Sequence, residues 1–311
     1  MRGLLAMFIY PGLLFAILLG GCMEGFRRKV KARMQLRQGP PLLQPFYDIG
    51  KLLSKQIVKP KGISNFLYYF IPFIGIISLL LAFVSFPLPF HYQKDMHTIK
   101  TSFDMIIILY LLEIPLISQI LFGYATRSPY GLVGSSRAVQ MLFYYNIPLL
   151  IIITAIAFLA KPIPSFNLMT IAKTTWSGTD MLIKILTLPI FLMCMQAEVK
   201  LNPFSISNAE TEILEGPIVE ASGLVLFMFE IMHYLELTAV ALLFSMLYLP
   251  VLLVPPTVSL LMIILSSFLL VFLMTFFETI TARLRLAQFT AIYFKVLFPL
   301  SVVVLLLSYL L

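Results

Sequence analysis

Five glutamates, Glu198, Glu210, Glu212, Glu215 and Glu220, fall within one hydrophilic stretch that ends at Gly223 and lies between long apolar runs. Burial and like-charge crowding raise carboxylate pKa values toward neutrality, so a cluster of this kind can exchange protons or steer cations. Within it Ser207-Asn208-Ala209-Glu210 has the spacing of a capping box and Gly216-Pro217 is a natural stop, which predicts a short helix over about 208–214 with Glu210 as its cap. Glu212, Glu215 and Glu220 have no such local explanation and are candidates for coupling or ion movement. A second set lies inside apolar runs: Glu113, and then Glu230, His233 and Glu236. At about 100° per residue these last three share one helix face, within an arc of about 120°. A charge at the centre of a membrane helix costs about 2.5–3.5 kcal/mol, so each of the four faces a partner or water, as part of an ion path or as an interhelical hydrogen bond. For His233 the hydrogen-bonded contact is the plain alternative.

Other chemistries find no residues. There is no phosphate-binding glycine loop followed by Lys-Ser/Thr, and no Ser/His/Asp arrangement. Cys22 and Cys194 are the only cysteines, without a CxxC pair, and cannot by themselves build an iron–sulfur or zinc site. Both read as buried structural thiols, so no cofactor or metal is expected in this chain and its role is non-catalytic.

The elements that must hold these acids are membrane helices. Hydrophobic residues make up 60% of the chain and charged residues 12%, with apolar runs of about 20 residues recurring, the length that crosses a hydrocarbon core. The runs are too continuously apolar for alternating barrel strands. The reading is an all-α polytopic membrane protein with about eight transmembrane helices, near 3–23, 66–90, 103–123, 140–160, 181–197, 223–249, 256–277 and 290–310, forming a single membrane domain over 1–311. Pro72, Pro115, Pro148, Pro189 and Pro299 fall within these runs and are expected to bend them. The segment 24–65 carries ten Lys and Arg, from Arg27 to Lys61, against Glu24 and Asp48, and accounts for most of the net charge of +8. By the positive-inside rule it is cytoplasmic, as is the acidic loop 198–222, with both termini outside. The basic charge marks topology beside anionic lipid, and nucleic acid is dropped as a partner. Because Arg27-Arg28-Lys29 follow the first apolar run, that run reads as a retained helix rather than a signal peptide.

After the break at Gly39-Pro40-Pro41, Leu42, Leu43, Phe46, Ile49, Leu53 and Ile57 fall on one helical face and Gln44, Asp48, Lys51 and Lys55 on the other, predicting an amphipathic helix in the membrane surface. The spelling RQGPPLLQPFYDIGKLLSK, from Arg37, resembles the segment after the first helix in subunit 1 of respiratory complex I, a membrane subunit family of NADH-quinone oxidoreductase, and in its compact form the hydrogenase-type branch. The stretch from Gly123 through Arg127 and Arg137 to Gln140 is similar to that family's Gly-rich loop before its fourth conserved helix. The acidic stretch from Asn202-Pro203-Phe204 to Ser222-Gly223 is similar to its large loop.

The resemblance implies a subunit at the junction of a peripheral redox arm and an ion-pumping membrane arm. It would anchor partner subunits that carry iron–sulfur clusters, with nickel–iron in a hydrogenase, and transmit redox-driven change to antiporter-like subunits that move H+ or Na+. The resemblance further assigns Arg37, Asp48, Lys51, Arg127, Arg137 and Glu210 to the redox-arm interface. Where the family usually carries carboxylates this chain has Gln56, Asn146, Ser205 and Asn208. That departure, with the compact motif, points to a membrane-bound hydrogenase or a sulfur or polysulfide reductase rather than a quinone reductase. A self-contained cation transporter and a purely structural anchor are the alternatives.

Overall fold

A computed structural model describes residues 9–10, 12–89, 104–160, 164–174 and 178–310. All regular structure among them is helical: α1 Leu13–Met34, α2 Gln44–Ser54, α3 Asn65–Ser85, α4 Asp104–Thr126, α5 Pro129–Phe158, α6 Leu168–Ala172, α7 Gly178–Glu198, α8 Glu210–Ile213, α9 Leu224–Tyr248, α10 Pro256–Ile280, α11 Leu286–Ile292 and α12 Phe298–Leu310. A π-helical turn, Tyr293–Leu297, joins α11 to α12, so Leu286–Leu310 is one continuous span.

Seven of these helices are long and apolar enough to cross a membrane, and the chain is a multi-pass membrane protein. The eighth expected span corresponds to α1, with two corrections. Residues 3–8 of the expected run lie outside the described residues, and the helix continues to Met34, taking in six charged residues from Glu24 to Arg33. Those charges therefore extend a helix instead of opening a loop. Part of the reason is that Glu24 lies three and four residues before Arg27 and Arg28, so the helix neutralises its own cations.

The expected loop before the fourth conserved helix is also mostly helix. Ser128 caps α5, its hydroxyl accepting from the Gly131 amide at 2.9 Å, and Pro129 occupies the first turn, where its missing N–H costs nothing. Only the residues around Arg127, itself left-handed at φ 57°, separate α4 from α5. Pro72, Pro115, Pro148 and Pro189 lie inside α3, α4, α5 and α7.

The core is organised around α9. From Tyr234 to Tyr248 every residue of this helix is buried, and it packs against α1, α3 and α10. A helix apolar on all sides belongs in a bundle's centre, so its carboxylate, Glu236, is carried to the middle of the protein. On the other side α4 packs on α3 and α5, and α5 packs on α7 and α12. The amphipathic helix α2 forms as expected: Pro45 and Leu52 are its buried residues, while Leu42, Leu43 and Leu53 are exposed. Its approach to α1 is close, since a side chain at Gly25 would strike the Leu42 carbonyl. Cys22 is exposed, contrary to expectation, because this part of α1 turns its glycines toward the packed side; Cys194 is buried.

A polar cavity beneath the acidic loop

The acidic loop is folded down onto the helix ends by contacts from several directions. A Cβ at Gly134 on α5 would lie 2.6 Å from the Gly216 Cα, so the close approach needs glycine, and Gly216 itself is left-handed at φ 56°. Arg137 Nη1 donates to Glu212 at 2.7 Å, and Arg283 Nε donates to Ser205 Oγ at 3.1 Å. Gln196 Nε2 donates to the carbonyls of Asn202 (2.5 Å) and Met274 (3.2 Å). At the far end the Tyr68 hydroxyl donates to the Glu220 carbonyl at 3.1 Å, and Ser222 exchanges hydrogen bonds with the Val58 backbone.

One expectation fails here. The short helix is only Glu210–Ile213, capped by Ala209 with no side-chain bond, and Ser207 Oγ turns to Asn208 Oδ1 instead. With Ala209 at the cap position and the Ser207 hydroxyl bonded to its neighbour, no capping box forms.

Beneath the loop lies a cavity of ≈ 350 Å³. One wall is a network of ion pairs. Glu24 accepts two hydrogen bonds from Arg27 at 2.7 Å each and one from Arg28 at 2.8 Å; Arg27 also reaches Glu278 at 2.8 and 3.0 Å, and Lys31 reaches Glu278 at 2.6 Å. Arg28 extends to Asp48 of α2 at 2.7 Å. The network thus ties α1, α2 and α10 together. Facing it are Glu210, Glu215, Glu230 and His233, with His233 Nε2 3.8 Å from Glu24. Partial burial, together with Glu210 and Glu230, pushes the Glu215 carboxyl up from its usual range. Outside the cavity the Arg137 guanidinium holds Glu212 below it.

The floor of the cavity opens into a file of buried polar groups. Lys200, left-handed at φ 60°, points inward, and its Nζ donates to Gln119 Oε1 at 3.0 Å and to both oxygens of Glu236 at 3.4 Å. Glu198 is buried within electrostatic reach of Glu236, Lys200 and Glu113, and faces the Tyr145 hydroxyl without closing a regular hydrogen bond. Glu113, beside Asn146, ends the file.

The structure therefore brings together Glu210, Glu215, Glu230 and His233 at the cavity, with Glu236 and Glu113 deeper along the same file. It does not bring Glu212 into the cavity, and Glu220 is fixed through its backbone. Asp48 lies half-buried in the ion-pair network, and Arg37, Lys51 and Arg127 are exposed. Sequence reasoning missed Lys200, Gln119, Glu24, Arg27, Tyr145 and the depth of Glu198. The one available signal was a lysine two residues after Glu198 in an otherwise acidic stretch. No group of three or more His, Cys, Asp or Glu among the described residues is placed to hold a metal.

A multi-pass helical bundle with a charged cavity under a folded-down acidic loop makes this a polytopic membrane protein, and its relatives make it a membrane subunit of a respiratory oxidoreductase. The chain belongs to the NADH dehydrogenase family, whose match spans residues 6–309. It is 31% identical over 237 residues to the H subunit of NADH-quinone oxidoreductase from Syntrophotalea carbinolica, covering 71% of this chain and 70% of that one. To the equivalent protein from Brevibacillus brevis it is 26% identical over 305 residues, covering 93% and 88%. Among solved structures it is similar to a chain of the membrane-bound sulfane sulfur reductase, an archaeal respiratory membrane complex, with a TM-score of 0.85, 26% identity and coverage of 98% and 99%.

Proposed function

We propose that this chain is the coupling and anchoring subunit of an energy-converting respiratory complex, joining electron transfer in a peripheral iron–sulfur arm to movement of H+ or Na+. The observation that carries the reading is the set of ionisable groups buried beneath the cavity, the Lys200–Glu236 pair with Glu198 and Glu113, where each unpaired charge would be costly. On this reading the acidic loop and Arg37, Lys51 and Arg127 face the redox arm on the cytoplasmic side and both termini lie outside, a topology that the excess of Lys and Arg in 24–65 supports.

Sulfur, polysulfide or proton reduction is favoured over quinone reduction. The cavity is bounded by charged side chains, and Ser205 and Asn208 stand on its wall where the family usually carries acids. Such a lining suits water and ions better than an apolar acceptor. The partners would be iron–sulfur subunits on the loop side and antiporter-like subunits in the membrane.

The test is Glu113→Gln in the assembled complex. Electron transfer should persist, with coupled ion uptake into inverted vesicles lost. Unchanged uptake with normal assembly would leave only a structural role.

A further inference from the structure

Lys200 is the left-handed residue of a Schellman cap that ends α7, its amide bonding the Ala197 carbonyl at 3.1 Å and the Leu201 amide the Gln196 carbonyl at 3.0 Å, a position that glycine usually fills. A left-handed backbone costs a side-chain-bearing residue about 1–2 kcal/mol, and here it turns a lysine inward to a site where its side chain is 5% exposed. Around its ammonium stand three oxygens from two helices: Gln119 Oε1 of α4 and both carboxylate oxygens of Glu236 of α9. A carbonyl-type oxygen with a carboxylate is the oxygen chemistry that hard monovalent and divalent cations take. Lys200 and Gln119 also line the cavity, so the seat stands at its wall.

We propose that the Lys200 ammonium is a tethered cation that fills a seat otherwise fit for a monovalent metal ion, and so bars Na+ and K+ from the buried file. Protons can still pass, because a proton moves by exchange between fixed side chains and water while a metal ion needs the seat itself. This rests on the coupling role proposed above and specifies its ion: within this chain the file serves H+, and any Na+ movement belongs to partner subunits.

The experiment uses the full chain in detergent and in proteoliposomes. In the wild type, the thermal midpoint followed by circular dichroism should be equal in NaCl and in choline chloride at the same ionic strength, and 22Na+ should not enter under an imposed potential. Lys200→Ala should unfold at lower temperature in choline and recover by a few degrees in Na+ or methylammonium, through occupancy of the vacated seat. It should also admit 22Na+, and Lys200→Ala combined with Glu236→Gln should lose both effects. Lys200→Gln, which keeps a neutral side chain there, should be indifferent to Na+. Specific Na+ stabilisation of the wild type, or 22Na+ entry through it, overturns the proposal even where the variants do not fold. So does a folded Lys200→Ala that treats Na+ and choline alike. Failure of the coupling role would show separately, as unchanged ion uptake by the Glu113→Gln complex with the cation seat still behaving as described.

Discussion

Two glutamates three residues apart in one loop have opposite electrostatic fates, and the consequence is measurable. Arg137 lowers the Glu212 pKa, so the folded loop binds that proton less tightly than the unfolded chain does. Its contribution is present above the unfolded pKa and is lost as pH falls through the folded one. Glu215 is raised by partial burial, Glu210 and Glu230, so its contribution is present below the unfolded pKa and declines as pH rises through the folded one. Limited proteolysis of the loop across pH 3–7 should show this: Glu212→Gln removes the part of the protection lost on acidification, and Glu215→Gln removes the part lost on the alkaline side. Both effects should be small, since both side chains are solvent-accessible. Glu278 is different. It is almost fully buried between Arg27 and Lys31, and Glu278→Ala leaves Arg27 one carboxylate short in the interior. Because Arg27 keeps its two hydrogen bonds to Glu24, a loss of about 1–3 kcal/mol is expected, read as a fall in the thermal midpoint of the purified chain.

At the scale of elements, the loop is positioned by shape as much as by charge. The contact of Gly134 with Gly216 and Pro217 leaves no room for a methyl group. Gly134→Ala should cost about 1–3 kcal/mol and raise proteolysis of the loop while α5 stays helical. Were the loop held chiefly by the Arg137–Glu212 pair, Arg137→Ala would free it as readily as Gly134→Ala does. The helices themselves were legible beforehand, since each span is a continuous apolar run whose partition depends on its own residues. The two misplaced boundaries have local causes. The run Gly134-Ser135-Ser136-Arg137, lacking large apolar side chains, hides a helix that Ser128 begins, and the basic run after Cys22 hides one that Glu24 balances. The absent capping box had the right spelling, but the Ser207 hydroxyl bonds the neighbouring Asn208 side chain and the helix begins only at Glu210.

Over the whole molecule, exposed apolar side chains cover the outer faces of the spanning helices, among them Leu265 at 69% and Leu306 at 57%. Such a surface needs lipid or the apolar faces of neighbouring membrane helices around it. Leu265→Arg should therefore cost insertion about 2.5–3.5 kcal/mol, visible as a reduced membrane-integrated fraction, while leaving any detergent-purified chain folded. The membrane class, the order of the helices, the amphipathic segment, the acidic loop and the blocks that mark the family were all readable along the chain. These are sums over neighbouring residues. Which charges meet depends on packing: Arg27 and Glu278 are 251 positions apart, and Lys200 finds Gln119 and Glu236 on two different helices. A buried charge is governed by distances of a few ångströms between helices, set by packing around α9, and no spacing along the chain encodes them.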